Sequence, residues 1–164
     1  MRPVVRVEAC EDEAALGAAA ELLAEYRGHY AADPAAPRAV LDWLVEVVGS
    51  GMLAVVVARD DEPGEPGPVG LATTHVVPAT LALGRSWQLR DLYVRPSARR
   101  RGVAGALVAA VRTAAEEAGA TRLSLVTEDD NQAALRLYAH LGFAPVEGLT
   151  SLGVDLRPSS STWA

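Results

Sequence analysis

Leu89-Arg90-Asp91-Leu92-Tyr93-Val94, then Pro96, then Arg99-Arg100-Arg101-Gly102-Val103-Ala104-Gly105-Ala106: this passage decides how the chain is read. The first six residues are strand-like, and Pro96 ends them. A Gly-punctuated turn then opens a long apolar-striped helix. A helix start leaves its first backbone N–H groups without intrahelical partners, and the helix dipole adds positive potential there. Such a segment is suited to hold a phosphate or pyrophosphate. Gly102, Ala104 and Gly105 keep bulk away from an approaching anion, while Arg99, Arg100 and Arg101 add positive charge. No Gly-Lys-Ser/Thr closes the run, so it is not a Walker loop; all 15 basic residues are arginine. Nor is it Gly-x-Gly-x-x-Gly with an acidic residue on a following strand, which disfavours a nicotinamide or flavin. A basic loop ahead of an ordinary surface helix is the competing reading.

Composition fits one soluble domain spanning 1–164, since a chain of 164 residues can bury a substantial core without staples. The one cysteine, Cys10, excludes an internal disulfide, and His29, His75 and His140 are scattered, so no metal site is expected. The first 13 residues turn acidic at once and show no apolar signal segment. The uncharged stretch between Glu65 and Arg85 is broken by Pro66, Gly67, Pro68, Gly70, Pro78 and Gly84, and reads as strand and loop rather than membrane span. A cytoplasmic protein with no membrane partner is the expectation. Residues 1–65 hold 13 acidic residues against 5 arginines, and the remainder 8 against 10. So small and local a basic patch argues against nucleic-acid binding. The acidic N-terminal half can attract a cationic amine, although most of its charges are those of solvated helix faces.

The element pattern is mixed α and β. Val4–Glu8 alternates as a strand, and Asp12 is placed to cap a helix over 13–27. After Pro34 and Pro37 a second helix runs to Val48. Strands are expected over 52–59, 69–77 and 86–94, with a Pro/Gly-rich turn at 61–68. The helix behind the anion loop covers 102–118, with Val103, Leu107, Ala110/Val111, Ala114 and Ala118 on its buried stripe. A strand at 122–126, a helix at 131–141, and strands at 144–146 and 150–156 follow, before a loose tail from Pro158 to Ala164. The β-α-β order makes the 89–94 and 122–126 strands parallel.

A second constellation lies downstream: Leu123-Ser124-Leu125-Val126-Thr127, then Asn131, Ala134, Leu137-Tyr138 and Gly142-Phe143. With it the chain resembles the GNAT superfamily of acyl-CoA-dependent N-acyltransferases. Arg99, Gly102 and Ala104 fill that family's Gln/Arg-x-x-Gly-x-Gly/Ala loop. Asn131, Ala134, Leu137, Tyr138, Gly142 and Phe143 fill its Asn-x-x-Ala-x-x-Leu-Tyr-x-x-x-Gly-Phe helix. The two motifs stand in the right order, with one helix and one strand between them, and the likeness covers residues 50 to 156.

The resemblance implies a mixed α/β (α+β), mostly antiparallel sheet, with a central parallel strand pair that splays apart and helices on its faces. It implies acetyl-CoA as acyl donor, without a metal. The pantetheine arm would pair with the strand edge at Leu92, Tyr93 and Val94. The pyrophosphate would lie on Arg99, Arg100, Arg101, Gly102, Val103, Ala104, Gly105 and Ala106. Tyr138 matches the tyrosine that protonates the departing thiolate; a core or rim tyrosine is the bland alternative. Asn131 caps its helix and is a candidate CoA contact. Many relatives carry Glu-Asp where this chain has Arg90-Asp91, and an arginine cannot be a base. Asp91 remains, to bind a cationic amine, to relay a proton through water, or merely to fix strand geometry. His75 is a second candidate.

Acceptor identity belongs to the least recognisable region. Tyr26, His29, Tyr30 and Trp43 are candidates for the acceptor pocket or for helix packing, and His75 and Thr127 join Tyr26 and Tyr30 as acceptor-side candidates. The expectation is acetyl transfer to a primary amine of a small molecule. Alternatives are a protein or peptide amine as acceptor, or a catalytically silent CoA-binding sensor domain. The fold class often forms homodimers, but no stretch of this sequence identifies an interface.

Overall fold

The computed structural model describes residues 4–30, 35–60 and 67–156. Residues 61–66 of the turn expected at 61–68, Pro34, and the tail from Pro158 lie outside the described residues. Among the described residues, five strands and four α-helices follow one another as β1 (Val5–Ala9), α1 (Glu13–Arg27), α2 (Pro37–Gly49), β2 (Ala54–Asp60), β3 (Gly70–Ala79), β4 (Gly84–Val94), α3 (Val103–Glu117), β5 (Arg122–Leu125) and α4 (Gln132–His140).

Local chemistry explains the boundaries. Asp12 caps α1, its Oδ1 accepting from the Ala15 N–H at 2.8 Å. Pro37 occupies the first turn of α2, where its missing N–H costs nothing. Gly119, at φ +70°, follows the end of α3 in the left-handed conformation that commonly terminates helices. Asn131 caps α4 through a 3.1 Å bond from the Ala134 N–H.

The sheet has the order β1-β2-β3-β4-β5. The first four strands are antiparallel neighbours, and β5 runs parallel to β4. Alternate residues of each strand serve two cores. On one face Val55, Val57, Leu71 and Tyr93 pack under α1 and α2, with Leu22 and Leu44 fully buried. On the other, Ala58, Ala72 and Leu89 pack under α3, whose stripe is Val103, Leu107, Val108, Val111 and Ala115. Val108 and Ala115 are buried on that stripe, whereas the expected Ala110, Ala114 and Ala118 are half-buried at its edge. Tyr138, Leu141 and Phe143 flank this second core.

Two features place the cleft. β4 pairs with β5 from Ser86 to Leu89 and no further, so residues 90–94 have no strand partner on that side among the described residues. Facing β3, the register shifts between Thr73, opposite Asp91, and Thr74, opposite Leu89. Arg90 is therefore the extra residue of a β-bulge. The bulge inverts the alternation: Leu89 goes under α3, whereas Tyr93, an even step further along, goes to the α1 side.

The expected strands at 144–146 and 150–156 are corrected: those residues are neither helix nor strand. Leu149, Leu152, Val154 and Leu156 stand exposed. Their alternation resembles a strand, but a strand exists only through its hydrogen-bonded ladder, and none is formed among the described residues.

Candidate active site

The opening between β4 and β5 is the floor of a cleft of about 950 Å³. Its walls come from the end of α1, from β4 residues 88–94, from the loop into α3, from residues 126–128 after β5, and from α4.

The α3 end presents Gly102, Val103, Ala104 and Gly105 to the cleft. The first intrahelical bond of α3 runs from the Ala106 N–H to the Gly102 carbonyl, and no side chain caps the helix. The N–H groups of 103 to 105 are thus orphan donors at a helix start, aligned with the dipole. Gly102 has φ +87°, a conformation that favours glycine. Arg100, at φ +60°, shares the left-handed region at real cost to a residue with a Cβ. The three arginines divide their work. Arg99 donates Nε–H to the Val94 carbonyl at 3.1 Å. Arg100 lines the cleft and is exposed. Arg101 does not line it and pairs instead with Asp60 at 2.6 Å. The expectation that Arg101 faces the anion is corrected on that ground. Ala106, the fourth residue of α3, does not border the cleft.

Across the cleft, Tyr138 on α4 stacks edge-on against Phe143, centroids 5.8 Å apart. Burial first, and then the nearby charge of Glu128, raise its pKa above that of an ordinary phenol. Asn131, already committed as a helix cap through its side-chain oxygen, also borders the cleft.

On the α1 side, Asp91 accepts from the Thr73 hydroxyl, which fixes the carboxylate beside the bulge. Tyr26, His29 and Tyr30 form the wall above it. Tyr26 meets Tyr30 edge-on at 5.3 Å and Tyr93 at 5.5 Å. The Tyr26 pKa is pushed up, mainly by burial and then by the charges of Asp91 and, further down, Glu128. The Tyr93 hydroxyl donates to Glu25 at 3.3 Å, and Arg95 Nη2 binds the same carboxylate at 2.7 Å, tying α1 to the end of β4.

Asp91, Leu92, Tyr93, Val94, Tyr26, Tyr30, Thr127, Asn131 and Tyr138 are therefore brought together around one cleft. His75 and Trp43 are not: His75 lies beyond the bulge opposite Gln88 on β3, and Trp43 is half exposed on α2. Glu128 is the residue that sequence reasoning missed. It borders the cleft, and its charge acts on both Tyr26 and Tyr138. In the run Glu128-Asp129-Asp130 nothing distinguishes it from solvated loop acid. Among the described residues no group of three or more His, Cys, Asp or Glu is placed to hold a metal, and no helix is long and apolar enough to cross a membrane.

The chain matches the sequence model of the Acetyltransferase (GNAT) family over residues 16–143. It is 33% identical over 75 residues to an uncharacterized N-acetyltransferase, YhfO, of Bacillus subtilis, covering 46% of this chain and 50% of that protein. It is 31% identical over 91 residues to a thialysine N-epsilon-acetyltransferase of Bos taurus, covering 56% and 53% respectively. The chain thus spans about half the length of these two relatives. A crystal structure of a probable acetyltransferase superposes with a TM-score of 0.82 at 25% identity, covering 93% of this chain and 99% of the other. An aminoglycoside N-acetyltransferase in complex with CoA shares the fold at a TM-score of 0.73 and 22% identity, covering 93% and 95%. With the family match extending over most of its length, the chain belongs to the GNAT acetyltransferase family.

Proposed function

We propose that this chain is an acetyl-CoA-dependent N-acetyltransferase acting on a primary amine of a small, cationic acceptor. The observation that carries this reading is the junction of two open features in one cleft. The unpaired edge of β4 at residues 90–94 runs toward the uncapped start of α3, with Tyr138 on the opposite wall. An extended amide-containing arm pairs with the strand edge, and a pyrophosphate sits on the orphan N–H groups. Acetyl-CoA has both parts.

The acceptor enters from the α1 side. Asp91 and Glu128 supply negative potential, and the faces of Tyr26 and Tyr30 suit a cation. A primary amine is mostly protonated at neutral pH and must lose a proton before its lone pair can attack. Water held at the carboxylates takes that proton. The C–N bond then forms, and the thioester carbonyl becomes an oxyanion that a backbone N–H near Val94 stabilises. Collapse breaks the C–S bond and the electron pair leaves on sulfur; Tyr138 hydrogen-bonds to that sulfur as charge grows and passes it a proton, and the second proton of the attacking nitrogen, released to water, replaces the one Tyr138 gave up. The products are an amide and CoA thiol. The Bos taurus relative, named for a small amine acceptor, supports a small molecule rather than a protein chain end.

An amine screen tests the whole reading. Thiol release from acetyl-CoA is followed with diamines, aminoglycosides, amino acids and short peptides as acceptors. Amine-dependent release with a small acceptor is expected. Release with peptides only moves the acceptor class to protein amines. Tight acetyl-CoA binding with no amine-dependent release makes the domain a sensor.

A further inference from the structure

Arg101 stands in the middle of the anion loop, yet its guanidinium points away from the cleft and toward β2. Its Nη2 lies 2.6 Å from Oδ2 of Asp60, the last residue of that strand. The Asp60 carboxylate is wholly buried, and the Arg101 side chain is 28% exposed. The contact is ionic, falling outside hydrogen-bond angles, and the remaining Asp60 oxygen finds no hydrogen-bond partner among the described residues. A buried carboxylate so placed depends on its cation. The residues flanking Arg101 are the two in left-handed conformation, Arg100 at φ +60° and Gly102 at φ +87°. A non-glycine residue persists there only where its surroundings over-determine it. Here the surroundings are two anchors: Arg99 on the Val94 carbonyl before the strained residue, and Arg101 on Asp60 after it.

Resting on the acyl-CoA reading above, we propose that the Asp60–Arg101 pair is a positioning device for the pyrophosphate. Arg101 is not a ligand of the anion. Its anchorage holds the 100–102 turn in the conformation that turns Arg100 into the cleft and keeps the 103–105 N–H groups converged. Arg100, which makes no ion pair among the described residues, is the cation left for the phosphates. Three adjacent arginines of one sequence run thus have three roles: strand anchor, ligand and core anchor.

Two variants avoid stranding a buried charge. The double variant Asp60→Asn/Arg101→Met removes both charges, and Asp60→Asn alone frees Arg101 to swing out. Acetyl-CoA binding is measured by calorimetry at low and high salt, beside wild type and Arg100→Met. Both Asp60 variants are expected to bind about tenfold more weakly with the salt sensitivity of wild type, and to keep kcat at saturating acetyl-CoA within about twofold. Arg100→Met is expected to bind more weakly and to lose salt sensitivity, as removal of a direct charge contact does. Unchanged affinity in both Asp60 variants overturns the proposal. So does tighter, more salt-sensitive binding in Asp60→Asn, because a freed Arg101 would then be acting as a ligand. Absence of acetyl-CoA binding by the wild-type protein overturns the acyl-CoA reading itself, and this proposal with it.

Discussion

A phenol is a poor acid toward a thiolate, and Tyr138 is made poorer by its surroundings. A thiol titrates near about 8.5 and a phenol near about 10, so full transfer is uphill by about 2 kcal/mol before any shift. Burial and the Glu128 charge raise the Tyr138 pKa further. On the proposed reading, Tyr138 therefore enters the reaction protonated and helps chiefly through its hydrogen bond as charge grows on sulfur. Its help should be real but moderate. Tyr138→Phe is expected to lower kcat by about 10- to 100-fold, at or below the low end for general acid catalysis, with KM for acetyl-CoA little changed. A structural tyrosine would instead show a lower Tm with normal kcat, so kinetics and melting on the same variant decide. Glu128 tests the other half of the cleft. Glu128→Gln should raise KM for a cationic acceptor by about 5- to 10-fold, in a salt-sensitive way, because an exposed charge contributes roughly 1 kcal/mol. KM for acetyl-CoA should not move. If the acceptor KM also stays put, the amine does not lie near Glu128.

At the scale of elements, the start of α3 makes a paired prediction. Gly102 has open space around a built Cβ but a positive φ, so alanine there costs conformation and not collision. Gly102→Ala should lose about 1–2 kcal/mol of stability, a Tm drop of about 3–6 °C, and should weaken acetyl-CoA binding. Gly105 lies inside the helix, also with open space. Gly105→Ala should gain about 0.5–1 kcal/mol from helix propensity yet still weaken acetyl-CoA binding, because its Cβ occupies the anion's approach. Thermal melts with and without acetyl-CoA separate the two effects. If Gly105→Ala binds acetyl-CoA normally, the anion does not approach there. Elements of this kind were legible in the sequence because their causes are local. The Asp12 and Asn131 caps and the Gly102 turn follow from residues a few positions apart, and the parallel β4–β5 pair from the strand-helix-strand order alone. What escaped depends on distant partners. The Arg90 bulge inverts a strand whose residues alternate innocently. Arg101 reads as one of three equal cations until Asp60, forty-one positions earlier, is brought beneath it. Residues 150–156 have a strand's alternation without a strand's ladder.

The whole molecule carries an uncommon titration. It has no lysine, and its arginines stay charged at any accessible pH, so alkaline titration falls to its cysteine and its tyrosines. Burial pushes the Cys10 thiol up to about 11 from 9.0. Burial also leads the upward shifts of Tyr26, Tyr93 and Tyr138. Each of these groups is held neutral by the fold and ionises more readily in the unfolded chain. The unfolded state therefore binds fewer protons as pH rises, and stability must fall. For Cys10 the stabilisation is complete below pH 9 and is lost as pH climbs toward 11, a change on the order of 3 kcal/mol. The tyrosines extend the loss beyond pH 10. Urea midpoints taken from pH 7 to 11 should be level to about pH 8.5 and then decline with growing slope. Cys10→Ala removes the first step, because Cys10 sits at 3% exposure in the core under α1. That variant should begin lower at pH 7, from lost packing, and then hold level until the tyrosines titrate. Curves for the two proteins that run parallel from pH 8 to 10 would show that Cys10 ionises as freely in the fold as out of it.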